Sequence, residues 1–548
     1  MSKYRKYYPG LESLIAGCVT VVFFILAVLN LGVLDFPSSD WHAGYNEDIR
    51  LDLGKANYVE KVYILIQGSE AVKVESYIGY PESWTLRSSI DEEGTYRQWR
   101  ELQIGDDTRY IRLLFPGKPA AIGEIAIFAD GNRLNAKRIV DKWGDEVAPQ
   151  LIDEQELVER IPTYENGTYF DEIYFVRTAE EYIHLEEPYE WSHPPLGKLI
   201  IASGILALGS NPFAWRITGV LFATAMILLI YLMARRLFKN RWYGVIASIL
   251  LAVDFMHYTQ ARLATGETFL FCFLMLMFFF FLRYMQVPPT KSGGWDLFLS
   301  LLFFGMAFSV KWTSIYGFIA IFVLLVLFRW RRGLTRAELA SFLAGGMAAV
   351  VFYIATYIPY FLAGHSLAEM TRLQFSMLSY HSGLEATHPY SSPWWSWPLM
   401  LRPLWLYTGK IDGLSSVIVA MGNPVTWWSG IAAMFYVTWR AIRYREMAAA
   451  FIAVSFLALW LLYIPIPRLL FIYHYYPAVL FIILGIVYCL DRLNKRWITI
   501  PYLVLATLAF AFFFPVISGM PMGTEYWNQM RNILDWGVRV IEHFPFLS

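Results

Sequence analysis

Residues 213–284 read FAWRITGVLFATAMILLIYLMARRLFKNRWYGVIASILLAVDFMHYTQARLATGETFLFCFLMLMFFFFLRY and hold three apolar runs, about 213–234, 241–257 and 263–284. Each is about long enough to cross the ~30 Å hydrocarbon layer of a bilayer as a helix. The connection after the first run carries Arg235, Arg236, Lys239 and Arg241. Basic residues gather on the cytoplasmic side of membrane proteins, so this cluster sets an orientation that the rest of the chain can be tested against.

Working outward, similar runs occur at about 11–33, 295–312, 314–330, 338–362, 423–442, 447–466, 469–490 and 497–518, the pair around 312 meeting near Lys311. The expectation is about eleven spans. With the N-terminus in the cytoplasm, Arg283 and Lys291, then Arg329, Arg331, Arg332 and Arg336, then Arg440, Arg443 and Arg445, then Arg492, Lys495 and Arg496 all fall on the cytoplasmic side. An odd number of spans keeps that register and puts the tail, 519–548, outside. The first run follows Lys3, Arg5 and Lys6, is longer than a signal-peptide core and precedes no small-residue cleavage site, so it reads as a retained anchor.

Composition agrees. Of 548 residues, 57% are hydrophobic, 18% aromatic and only 16% charged. An ordinary soluble enzyme, a disordered chain and a coiled coil are excluded. Lys plus Arg number 45 and Asp plus Glu 45, so no net positive charge points to nucleic acid. Cys18, Cys272 and Cys489 lie in apolar runs without metal-ligand spacing and read as buried small residues.

The expected fold class is an all-α polytopic membrane protein with an inserted β-sandwich on the outer side. Its parts are 1–34 (N-terminus and first span), 35–140 (sandwich), 141–212 (linker and interfacial helices), 213–518 (multi-span region with an aromatic outer loop at 363–420) and 519–548 (tail). The sandwich reading rests on alternating stretches such as DIRLDLG, VEKVYILIQ and IGEIAIFAD separated by turn residues. The DIRLDLG opening and RYIRLLF…AIGEIAIFAD ending resemble discoidin-type or carbohydrate-binding modules, which implies a sugar or polymer ligand.

Residues 169–198, YFDEIYFVRTAEEYIHLEEPYEWSHPPLGK, concentrate the chemistry. Ile173, Val176, Ala179 and Ile183 recur at helical spacing, which predicts an amphipathic helix lying along the membrane surface. Asp171 and Glu172 fall in its first turn, where carboxylates also simply suit the helix dipole. His193-Pro194-Pro195 must leave the helix. A short helix over about 197–208 follows, and its start, with His193, Lys198 and free backbone amides, suits a phosphate. Arg216, Asp254, His257, Arg262, Glu267, Lys311, Arg468 and His474 sit at span ends on the same side. Ionisable groups there are costly and tend to face a cavity or a partner. Such a pocket suits transfer from a lipid phosphate: a carboxylate takes the acceptor's proton and cations neutralise the leaving phosphate.

These motifs carry a resemblance. FDEIYF followed by HPPLGK, then TQARLATGE, AFSVKW, the aromatic YHSGLEATHPYSSPWWSWPLMLRPLWLY and RLLFIYHYYPA, in that order over about 165–490, resemble the protein O-mannosyltransferases, family 39 glycosyltransferases of GT-C architecture. The resemblance implies inverting transfer of a sugar, typically mannose, from a polyprenyl-phosphate carrier to Ser or Thr hydroxyls at the extracytoplasmic face of a bacterial plasma membrane. It implies Asp171 as catalytic base with Glu172 beside it, and donor or phosphate contacts from His193, Lys198, Arg216, Arg262, Lys311 and His474. Glu267, His381, His388 and Arg468 would line the cavity or meet the acceptor. It implies the membrane, the lipid-linked sugar and an acceptor protein or surface polymer as partners, with no obligatory cofactor; Asp254, His257 and Glu267 make no recognisable metal-ligand set, and dependence on a divalent metal stays open. Two departures stand out: Glu267 replaces an Asp common in the family, and the extra domain precedes the catalytic helix instead of occupying a later loop. A cell-wall polymer or glycolipid acceptor, and a lipid-linked sugar transporter, remain as alternative readings.

Overall fold

The computed structural model describes residues 10–537 and 539, apart from 81–82, 289–292, 330–332, 384–385 and 412. Lys3, Arg5, Lys6, Lys291, Arg331, Arg332 and the tail from 540 lie outside the described residues.

All eleven apolar runs are helical. Helix α1 is Leu11–Val28. After the β-rich insert come α2 (Glu172–His184) and α3 (Leu196–Leu208). The series continues with α4 (Pro212–Leu237), α5 (Trp242–Ala252), α6 (Phe255–Ala261), α7 (Glu267–Met285), α8 (Gly294–Phe308), α9 (Ile315–Arg329) and α10 (Arg336–Ala355). The short α11 (Ile358–Leu362) and the long α12 (Leu367–Gly383) follow, then α13 (Pro424–Tyr444), α14 (Met447–Leu461), α15 (Val479–Leu493), α16 (Arg496–Ser518) and α17 (Thr524–Leu534). Among the described residues seven helices are long and apolar enough to cross a membrane, or eight if α5 and α6, bent by 63°, count as one broken span. The protein is therefore a polytopic membrane protein.

Local chemistry sets the helix starts. Asn211 accepts the Ala214 N–H at 2.9 Å, with Pro212 in the first turn of α4. Thr335 and Glu338 form a reciprocal capping box on α10.

The insert holds β1 (Trp41–Ala43), β2 (Glu47–Tyr80), β3 (Ser83–Thr95), β4 (Gln98–Phe115), β5 (Ala120–Ala129), β6 (Asn132–Leu134) and β7 (Arg138–Asp141). Strand β2 is folded back on itself. Both its opening and closing stretches pair with the end of β4 (Asp48 opposite Leu114, Ser76 opposite Leu113). Its middle stretch pairs with the start of β4 and with β5 (Ile64 opposite Arg100 and Ile125). The apolar faces so formed, including Ile49, Val62, Ile64, Val74, Ile111 and Ile127, meet in one buried core. Polar, β-branched alternation produces this in an insert that also meets water.

The segment 363–420 is more ordered than an aromatic loop. It contains α12 and a hairpin of β8 (Leu404–Ile411) and β9 (Leu414–Ala420).

The insert is fastened to α2. Glu180, buried on that helix, accepts from Arg97 Nη2 at 3.0 Å and from Tyr96 Oη, both at the base of the strands, and from Ser210 Oγ ahead of α4. Charge-assisted bonds to one buried carboxylate hold three chain segments in register.

Candidate active site

Asp171 precedes the first turn of α2, and its side chain caps no helix N–H. Its carboxylate makes no hydrogen bond among the described residues and faces a cavity of about 500 Å³. His193, His381, Arg468, Tyr473 and His474 share that wall. A second hollow of about 220 Å³ continues from it and adds Lys311 and Tyr316. Burial pushes the Asp171 carboxyl up to about 7, helped by the Glu267 and Glu190 charges and opposed by Lys311. A carboxylate with that affinity for protons is half ionised near neutrality, which suits a general base. The preceding residue, Phe170, is held at φ 50°, a left-handed conformation that aims the chain into the start of α2.

The basic groups are held individually. Lys311 Nζ donates to Glu267 Oε1 at 2.5 Å and lies 5.4 Å from the centre of the Tyr473 ring. His381 donates from Nε2 to the Ser192 carbonyl at 2.8 Å, which leaves Nδ1 to accept from Arg468 Nη1. Burial, with His193 and Arg468 adjacent, lowers His381 to about 4, so it is neutral at pH 7. His193 places Nδ1 2.9 Å from Glu190 Oε1. Its pKa is lowered, burial outweighing the Glu190 carboxylate. His474 lies flat against Trp397 and Tyr473. Its Nδ1 is 3.2 Å from the Phe471 N and 3.0 Å from the Phe471 carbonyl, while Nε2 is buried and unpartnered among the described residues. An anion reaching Nε2 would select the tautomer in which Nδ1 accepts the Phe471 N–H and Nε2 donates.

The comparisons agree with this architecture. Residues 192–360 match the family profile described as dolichyl-phosphate-mannose-protein mannosyltransferase. Residues 366–536 match the C-terminal four-transmembrane region of protein-O-mannosyltransferase. Together the two profiles span more than half of the chain. The chain belongs to the protein O-mannosyltransferase family. A polyprenol-phosphate-mannose–protein mannosyltransferase of Mycobacterium tuberculosis is 26% identical over 412 residues, 61% of this chain and 79% of that protein. Its namesake from Mycolicibacterium smegmatis is 24% identical over 465 residues, 68% and 89% of the two chains. The solved S. cerevisiae protein O-mannosyltransferase Pmt1–Pmt2 complex, bound to the sugar donor, superposes with a TM-score of 0.59 at 13% identity, covering 66% of this chain and 88% of that one. That likeness gives this O-mannosyltransferase the GT-C fold.

Within this family member, several residues expected at the phosphate are engaged elsewhere. Glu172 and Arg216 are fully buried and face each other in a bidentate pair at 2.8 and 2.7 Å. Arg216 also donates to the carbonyls of Leu31, Tyr164 and Gly167, and Glu172 accepts the Ala264 N–H at 2.9 Å. The pair ties the start of α2 to α4 and leaves nothing to offer a ligand. Arg262 donates to the carbonyls of Ala27, Leu29 and Asn30 and so closes the end of α1. Lys198, fully buried, donates to Glu190 Oε2 and to the carbonyls of Glu190 and His193. It shapes the turn that carries His193 and does not line the cavity. Asp254 caps α6 through the His257 N–H and accepts Trp427 Nε1 at 2.9 Å, and His257 Nδ1 meets Tyr476 Oη at 2.7 Å; neither residue lines the cavity or the hollow that continues from it. His388 rests against Phe471 outside the cavity, its Nδ1 accepting the Tyr390 N–H.

Sequence reasoning missed Glu190. It lies three residues before His193 and eight before Lys198, and it orients both. The signal was the carboxylate just ahead of the HPPLGK turn, read only as part of a charged connection.

Proposed function

We propose that the protein transfers mannose from a polyprenyl-phosphate carrier to Ser or Thr hydroxyls of proteins, with inversion, at the extracytoplasmic face of a bacterial plasma membrane. The observation that carries this reading is the unbonded Asp171 carboxylate sharing one cavity with His193, His381, Arg468 and His474 and adjoining Lys311. Family membership and the names of the mycobacterial relatives support mannose, the lipid carrier and the protein acceptor.

Asp171 takes the hydroxyl proton as the oxygen attacks the anomeric carbon. The bond from that carbon to the phosphate oxygen breaks, and its electron pair leaves with the phosphate. Lys311, Arg468 and the Nε2 of His474 stabilise the charge growing there. His193 and His381, neutral in the resting site, shape the cavity between base and phosphate. Glu267 steadies Lys311, while Glu172, Lys198, Arg216 and Arg262 act through the backbone they hold.

The same reading takes all eleven helical runs as spans, the shorter or more polar α8, α13 and α14 included, with the N-terminus cytoplasmic. It takes the insert as a discoidin-like β-sandwich standing over the site.

The test is the purified full chain in detergent, given polyprenyl-phosphate-mannose and a Ser/Thr-rich peptide and read by mass spectrometry. A hexose on the peptide supports the reading. Donor consumed in the presence of a glycan and never a peptide would replace the protein acceptor by a polymer. A donor untouched in detergent would remove the transferase reading.

A further inference from the structure

The cavity that Asp171 faces is bordered by two aromatic pairs. Tyr174, Tyr189, Trp191 and Tyr380 all line it, and each is 36% to 43% exposed. Lining residues that also meet solvent mark the mouth of a cavity. Tyr174 stands one turn along α2 from Asp171, so ring and carboxylate share a helix face. The Tyr189 ring is stacked on Tyr174, with centroids 6.3 Å apart and planes 6° from parallel. The Trp191 ring meets Tyr380 of α12 edge to face at 5.6 Å.

Backbone contacts hold this rim in place. The Tyr189 N–H donates to Glu181 Oε2 at 2.6 Å and the Glu190 N–H to Thr178 Oγ1 at 2.8 Å, which ties the stretch before the HPPLGK turn to α2. His381, next to Tyr380, donates to the carbonyl of Ser192, next to Trp191. Arg177 lies 3.8 Å from the centre of the Tyr189 ring and donates to Glu181 at 2.8 Å, so its charge is already paired. Rings held in this way are preorganised for a ligand. Aromatic rings at a membrane boundary can also form a simple interfacial belt. Belt residues face the headgroups, whereas these four turn onto the wall that carries Asp171. Exposed Tyr and Trp rings gathered at one mouth mark a binding surface. Among the described residues the hydroxyls of Tyr174, Tyr189 and Tyr380 and the Trp191 indole N–H have no hydrogen-bond partner, so the rim offers apolar faces and free donors together.

We infer that this rim is the acceptor subsite: it holds an extended polypeptide by the apolar side chains that flank the hydroxyl-bearing residue, and so reads the sequence around the point of transfer. The inference rests on the protein-acceptor reading and adds what the acceptor must carry beside its Ser or Thr. The rings receive the apolar side chains, and the free donors meet main-chain carbonyls. The spacing fits. Helix neighbours three apart stand about 5–6 Å from each other, and residues one or two positions apart in an extended chain are about 3–7 Å apart. A side chain beside the hydroxyl residue therefore reaches Tyr174 while the hydroxyl is at Asp171. A charged side chain there would give up hydration to uncharged rings and gain no partner.

The test uses the full chain in detergent with polyprenyl-phosphate-mannose and end-blocked threonine peptides of one length, the residues on either side of the threonine being leucine, glycine or glutamate. The expected result is a KM about tenfold or more lower for the leucine-flanked peptide than for the glycine-flanked one, with kcat little changed and the glutamate-flanked peptide poorest. Trp191→Ala and Tyr380→Ala, both at exposed positions, should erase most of the difference between leucine and glycine. Trp191→Phe and Tyr380→Phe, which keep a ring, should preserve it. Transfer to the glycine-flanked peptide reports that the variants are folded. Equal KM values for the leucine and glycine peptides in the wild type, or a difference that survives both alanine variants, overturn the inference alone. Alanine variants that lose both peptides alike would make the rings a support for the fold or a membrane belt, and overturn it too. Donor consumed with no transfer to any peptide would bring down the protein-acceptor reading and this inference with it.

Discussion

Asp171→Asn separates chemistry from architecture, because the side chain makes no hydrogen bond among the described residues and caps no helix end. Losing a general base lowers the rate about 10²- to 10⁴-fold, or roughly 3–5 kcal/mol of barrier. Stability should move the other way. The carboxyl is raised from 3.8 to about 7 in the folded state, so the fold favours its neutral form. Below pH 3.8 the group is protonated in both states and costs nothing. Between 3.8 and 7 the unfolded chain releases the proton more readily, and the penalty on the folded state grows until it is complete above 7. Three units correspond to about 4 kcal/mol, and water in the cavity reduces that to about 2–3 kcal/mol. The asparagine variant should therefore unfold at a higher temperature than the wild type at pH 8, and at the same temperature at pH 4. Transfer to a threonine peptide and thermal unfolding by intrinsic fluorescence, in one detergent, read both quantities. A variant that keeps a tenth or more of the activity, or melts lower at pH 8, would refute the role and the electrostatics together. The wild-type rate should also rise with pH to a plateau above about 7.

Glu267→Gln removes a negative charge that raises Asp171, so the rising limb of the pH–rate profile should move to lower pH; an unmoved limb would mean that another group titrates. Lys198→Met leaves Glu190 buried without its ammonium partner, and about 3–5 kcal/mol of stability should be lost on thermal unfolding. Arg216→Met should cost a similar ~3–5 kcal/mol and reduce the yield of monodisperse protein on size exclusion, because Glu172 then stays buried and unpaired.

Spans were legible because hydrocarbon accepts only long apolar helices, which leaves a pattern that one chain reveals by itself. The place of Asp171 at the head of α2 was legible for a different reason: it belongs to a compact motif whose neighbours in sequence are its neighbours in space. Partnerships across distance were not. Arg216 and Glu172 lie 44 residues apart, and nothing in either segment says that they satisfy each other and have no hydrogen-bonding capacity left for a ligand. Lys198 looked like a phosphate ligand for the same reason, since a lone cation beside a helix start reads alike whether its carboxylate is the ligand's or the protein's own Glu190. The hairpin at 404–420 was hidden by its aromatic content: Leu404 and Leu406 are buried while Trp405 and Tyr407 are half-buried, so the period of two disappears when all four are counted as apolar.

The cavity draws its walls from residues 171–193, from 380–381 and from 468–474. Chains enter the membrane from the N-terminus as they are made. Asp171 is thus in place while Lys311, Arg468 and His474 are still to be synthesised. A chain that ends before residue 468 lacks Arg468, Tyr473 and His474 and with them one wall of that cavity. The cavity that Asp171 faces therefore gains its last wall only when the segment just ahead of α15 has been made, late in the synthesis of the chain.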